Sequence, residues 1–178
     1  MKLKMELPAL KHEALVKEYI DACFKVGEFT INGGSSVEKY TSYEEWVNIV
    51  NKNRLGIDLP QGYVKATTYF LIGEKMLGTI NIRHDLNESL LNHGGHIGYS
   101  VHPNFRRLGY ATYMLKFALK KCQELGINEV LVTCKKENIA SKKTIEKCGG
   151  VLEDERLNQE DGHIYLRYWI QTGGLSND

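Results

Sequence analysis

Apolar residues at 108, 111, 115, 118, 119, 122 and 125 recur in steps of three and four, the stripe of an amphipathic helix that Gly126 ends. Just before it, His96–Val101 is a short run of strand formers closed by Pro103. The same reading predicts a first strand over residues 2–7 and a helix from Leu10 to Val26, with apolar positions at 10, 14, 15, 19, 22 and 23. Gly27–Tyr40 contains Gly33, Gly34, Ser35 and Ser36 and reads as a flexible loop. Ser42 with Glu45 then forms a capping box for a helix through Trp46, Ile49 and Val50. After a break at Pro60 and Gly62, two strand-like runs, Tyr63–Ile72 and Met76–Arg83, flank Gly73 and are expected to pair as an antiparallel hairpin. His84–Gly95 is polar and reads as a loop over a neighbouring site. Downstream come a strand at Glu129–Cys134, a short helix from Asn138 to Cys148, and strands at Val151–Glu155 and Gly162–Ile170. The order β-α-α-β-β-β-α-β-α-β-β predicts a mixed sheet with helices on both faces. One domain is expected over residues 1–171, with Thr172–Asp178 as a flexible, disordered tail.

Composition narrows the class. The chain has 178 residues, 42% apolar and 25% charged, enough for one α/β domain with a full core. A net charge of +1 gives no broad electrostatic footprint for nucleic acid or an anionic membrane. The N-terminal Met-Lys-Leu-Lys-Met-Glu-Leu is too charged for a signal peptide and no stretch of eighteen apolar residues occurs, so a cytoplasmic protein is expected. Cys23, Cys122, Cys134 and Cys148 are far apart and suggest neither a metal site nor a disulfide framework. Cys122 lies on its helix stripe and reads as packing; Cys134, at a strand end, is the one cysteine considered as a nucleophile.

The junction between the strand at 96–101 and the helix after 108 is where chemistry concentrates. Free N–H groups of the first turn and the positive end of the helix dipole face outward, beside Arg106 and Arg107. Gly109 can take a positive φ and Ala111 lets a ligand approach the backbone. A pyrophosphate fits such a loop, whereas neither a Gly-Lys-Ser/Thr ending nor Gly-x-Gly-x-x-Gly is present. The alternative is a tight turn whose arginines are merely solvated.

These residues resemble the GNAT family of N-acetyltransferases from about Gly95 to Glu155: the strand His96–Val101, the loop and helix just described, the strand Glu129–Cys134, Asn138 with Ser141, and the Gly149-Gly150 pair. The resemblance implies a single-domain, mostly antiparallel twisted sheet with one splayed parallel strand pair and helices on both faces. It implies direct acetyl transfer from acetyl-CoA, as co-substrate, to a primary amine of a small molecule or peptide, without a metal. By residue-level match the pantetheine arm lies along Tyr99, Ser100 and Val101, and a main-chain N–H near Val101 supports the carbonyl oxygen as it gains charge. Arg106, Arg107, Leu108, Gly109, Tyr110, Ala111 and Thr112 wrap the pyrophosphate, and Asn138 and Ser141 approach the arm. Pairing into a homodimer through a C-terminal strand is common among relatives.

An amine must lose its proton before attack. His96 stands where relatives often carry Glu and is one candidate base; equally, its ring bonds only a loop backbone group. His84 beside Asp85 is a second option, and His102 is expected to reach solvent. Many relatives place a Tyr seven residues after the asparagine to protonate the thiolate; here Ile145 stands there. Tyr99, Tyr110 or Ser141 could replace it, or the thiolate, with a thiol pKa near 8.5, leaves unassisted. Glu28, Phe29, Arg83, His84 and Asp85 are the expected acceptor residues, the acidic ones suiting a cationic amine. Two other readings stay open: a non-catalytic acyl-CoA-binding module, and a transferase of longer acyl chains.

Overall fold

The structure, a computed structural model, describes residues 2–173. Among them, seven strands and four α-helices follow in the predicted order: β1 (Lys4–Glu6), α1 (Glu13–Lys25), α2 (Tyr43–Leu55), β2 (Ala66–Ile72), β3 (Met76–Arg83), β4 (Ile97–Val101), α3 (Tyr110–Glu124), β5 (Glu129–Lys135), α4 (Ile139–Lys147), β6 (Val151–Leu157) and β7 (Ile164–Gln171). The sheet runs β1-β2-β3-β4-β5-β7-β6. Every pairing is antiparallel except β4 with β5.

Two cores cover the two faces of the sheet. On one, Val16 and Tyr19 of α1 and Trp46, Val47 and Val50 of α2 close over Phe70, with the Trp46 and Phe70 rings stacked at 5.8 Å. On the other, Met114, Leu115, Ala118 and Leu119 of α3 pack on Ile80, Ile82, Ile97 and Val132. Each such aliphatic side chain contributes roughly 1.5–3 kcal/mol on full burial. Cys122 is buried in that second core, as its place on the stripe predicts. The Ser42 hydroxyl accepts the Glu45 N–H at 3.2 Å, so α2 starts at its predicted cap.

Differences from the sequence reading have local causes. The first helix is preceded by a 3-10 turn, Leu10–His12. The strand expected from Tyr63 begins only at Ala66, because Tyr63 N–H closes a turn onto Pro60 O. The loop 84–95 holds a single π-helical turn, Leu90–Gly94, begun by the Asn87 side chain accepting the Leu90 N–H. Thr172, assigned to the tail, is instead fully buried, its hydroxyl donating to Ile127 O at 3.0 Å. Residues 174–178 of that expected tail lie outside the described residues. Among the described residues no helix is long and apolar enough to cross a membrane.

Candidate active site

β4 is paired with β3 along its whole length, from Ile82 opposite Ile97 to Gly78 opposite Val101. Toward β5 it has one register pair, Ile97 with Val132, beside the bond from His96 N–H to Leu131 O. Beyond that point the two strands diverge. Arg83 N–H donates to His96 O and His102 N–H to Leu77 O, and alternate residues of an antiparallel strand share an edge. Gly98 and Ser100 therefore bond to β3, while the amides and carbonyls of Tyr99 and Val101 point into the opening beside β5.

The chain leaves β4 through a 3-10 turn, Pro103–Phe105. Arg107 (φ 64°) and Gly109 (φ 87°) then adopt left-handed conformations and α3 starts at Tyr110 with no side-chain cap. The first-turn amides are thus left for an anion, in a concave backbone that favours one. Arg107 and Leu108 are exposed, Tyr110, Ala111 and Thr112 partly so. Arg106 does not join them. Its guanidinium is held bidentately by the Glu28 carboxylate, at 2.7 and 2.5 Å, and its Nε donates to Val101 O at 3.2 Å. Arg106 therefore ties the loop after α1 to the end of β4 instead of standing free beside Arg107, and Glu28 is paired rather than a free anion.

Across the opening, Asn138 caps α4, its side-chain oxygen accepting the Ser141 N–H at 3.1 Å. That turn presents the Ser141 hydroxyl 2.7 Å from the Tyr99 hydroxyl. Burial pushes the Tyr99 pKa up to about 12, so the pair stays protonated at neutral pH, with hydrogens to share. Ile145 is fully buried in the core. Burial also pushes Cys134 up to about 11, which makes it a poor nucleophile.

The histidines depart from expectation. His96 is 5% exposed, and its Nδ1 accepts the Leu131 N–H of β5 at 2.9 Å. Burial lowers its pKa to about 4, against a smaller opposing effect of Asp85. A ring so engaged holds the strands together and is badly placed to take a proton from an amine; its partner is an amide of β5 rather than the loop group expected. His102, expected in solvent, is fully buried, with Nε2 3.3 Å from a Glu18 oxygen and Nδ1 accepting the Asn104 N–H. His84 shares a hydrogen bond with the Thr67 hydroxyl at 2.8 Å, and burial lowers its pKa.

The residues expected to face an acceptor fall into two groups. Glu28 lies near the end of β4 with Arg106, and Phe29, exposed, packs on Phe24 at 5.4 Å. Arg83, His84 and the exposed Asp85 gather at the beginning of β4, around His96. Between the groups lies a polar floor that sequence reasoning missed. The Tyr19 hydroxyl is 2.8 Å from the Ser100 hydroxyl, Thr79 donates to Gly33 O, and Asn81 donates to Ser35 and Thr68. Its signal was the alternation of Thr79, Asn81 and Arg83 with Ile80 and Ile82 in one strand.

Comparison with known proteins agrees with this geometry. The family profile described as acetyltransferase (GNAT) domain matches residues 16–151. The chain belongs to the GNAT acetyltransferase family. Its fold is shared by an acetyltransferase from Salmonella typhimurium that modifies the N-terminal serine of a 50S ribosomal subunit protein (TM-score 0.66, 20% identity, 96% of this chain and 95% of that one). It is shared by the microcin C7 self-immunity acetyltransferase MccE, solved with acetyl-CoA and AMP (0.69, 18%, 96% and 92%). A ribosomal-protein-S5-alanine acetyltransferase from Vibrio fischeri also superposes (0.72, 12%, 99% and 96%). A search of curated protein sequences found no match.

Proposed function

We propose that the protein transfers the acetyl group of acetyl-CoA to a primary amine of a small molecule or peptide. The observation that carries this reading is the free edge of β4, which ends a few residues before the uncapped start of α3. A thioester with a diphosphate tail needs those two features at that spacing. Arg107 and the first-turn amides of Tyr110, Ala111 and Thr112 hold the pyrophosphate. The edge of Tyr99 and Val101 receives the pantetheine amides, and the Val101 N–H supports the carbonyl oxygen as charge develops there. The amine nitrogen bonds to the acetyl carbon while the carbon–sulfur bond breaks, and the proton that the nitrogen sheds passes to solvent water. The hydroxyl pair of Tyr99 and Ser141, recharged from the same solvent, supplies a proton to the departing sulfur, a role that Ile145 cannot fill. His96 is not assigned the base.

Calorimetry with acetyl-CoA and a free-thiol release assay across an amine panel test this. Binding is expected with a Kd raised at least tenfold, about 1.4 kcal/mol, by Arg107→Ala combined with Gly109→Val. Thiol release with at least one amine is expected. Binding without release for every amine would instead identify a non-catalytic acyl-CoA-binding module, the reading that Ile145 keeps open.

A further inference from the structure

The face of the sheet turned toward α1 carries Thr79, Asn81 and Arg83 opposite Ser100, Gly98 and His96. Thr79 and Asn81 are used up by the loop above them; Arg83 is not. Its Nη1 donates to Gly94 O at 3.0 Å and, more weakly, to Gly95 O. Among the described residues no carboxylate pairs with it, whereas Arg106, Arg156 and Arg167 each hold one. A guanidinium keeps its charge under all ordinary conditions, and a charge drawn out of water without a partner is costly.

The surroundings of Arg83 are shaped as well. A Cβ on Gly98 would lie 3.3 Å from Nη2, 3.4 Å from Nη1 and 3.5 Å from Gly33 N. Guanidinium and amide thus converge above the Gly98 Cα. Among the described residues the Gly33 N–H donates to no protein acceptor. Gly98 itself is not in the left-handed region, so its backbone does not require glycine; a side chain there would instead press on the guanidinium and on the Gly33 amide.

We infer that Arg83 and the Gly33 amide receive an anionic group of the acceptor, a carboxylate or a phosphate. Resting on the acetyl-transfer reading above, this narrows the substrate class to amines that carry an anion, the reverse of the cationic preference expected from Glu28 and Asp85. Gly98 is three strand residues from Val101, roughly 10 Å at about 3.3 Å per residue. The acceptor's amine and anion are therefore separated by about that distance or somewhat less.

The test compares 6-aminohexanoate and 4-aminobutyl phosphate with hexylamine and 1,6-diaminohexane in thiol release. The two anionic amines distinguish a carboxylate from a phosphate. Wild type is expected to show kcat/KM at least tenfold higher for one of them than for hexylamine. Arg83→Gln should reduce that ratio at least tenfold, and Arg83→Lys should restore part of it. Gly98→Ala, whose methyl would crowd both donors, should reduce the ratio too, with the acetyl-CoA Kd reporting on folding in each variant. A ratio unchanged in both Arg83→Gln and Gly98→Ala, or a wild type that prefers 1,6-diaminohexane, would overturn the inference. Should no amine release thiol, the transfer reading fails separately. Calorimetry with 6-aminohexanoate then decides the anion site alone: weaker binding in Arg83→Gln supports it and equal binding refutes it.

Discussion

His96 shows how one side chain can carry the right chemistry for a role and sit in the wrong place for it. Its Nδ1 accepts the amide of Leu131 and its ring is buried, which lowers its pKa to about 4. In the unfolded chain the same ring titrates near 6.5, so from about pH 6.5 down to 4 the unfolded state binds the extra proton. Stability contributed by neutral His96 is complete above pH 6.5 and is lost as the pH falls through that window, by an amount on the order of 3 kcal/mol. His96→Asn offers a non-titrating acceptor to the Leu131 N–H. Urea unfolding at pH 7.0, 5.5 and 4.5 should show wild type losing stability more steeply than this variant. An equal slope would mean that the ring titrates normally. The sequence could not decide between base and strand tie, because the deciding partner is a backbone amide thirty-five residues away.

At the scale of elements, what the sequence made legible and what it hid separate by the range of the forces involved. β3 was predicted with its observed ends, since a glycine turn and a run of strand formers are local signals. The uncapped start of α3 was legible too, from Gly109 and the apolar stripe. The π-helical turn at Leu90–Gly94 was not, because a side chain and a main-chain bond across the loop set it. Nor was the commitment of Arg106 to Glu28, seventy-eight residues away. Gly33 joins both kinds: its glycine signalled a loop, but only the fold shows that it lies on β4. It has φ 74°, and an added Cβ would come within 2.3 Å of Gly98 O. Gly33→Ala must either strain that backbone or lift the loop from the sheet, at a cost of about 1–3 kcal/mol. A lower urea midpoint and a raised KM for the acceptor, with the acetyl-CoA Kd little changed, are expected. A rise in the acetyl-CoA Kd alone would put the loop on the other side of the site.

For the molecule as a whole, the opening between β4 and β5 is also the line along which the sheet is least joined. β1 to β4 form one antiparallel block and β5, β7 and β6 another. Between them stand one register pair, the two bonds of His96 with Leu131, and the packing of α3 and α4 around the seam. A ligand that pairs with the β4 edge and is held by the start of α3 adds bonds where the sheet has fewest, so binding and global stability are linked. Coenzyme A at one hundred times its Kd should stabilise the fold by about 2.7 kcal/mol. For a chain of this length that is a rise in Tm of roughly 5–10 °C. In hydrogen exchange the added protection should concentrate at Tyr99, Val101 and the first turn of α3, with β1 and β6 gaining only what global stabilisation gives them. If protection were instead spread evenly, or centred on the far edge of the sheet at β6, the ligand would be docking away from the seam. The link between the divergent strands and acetyl transfer would then be lost.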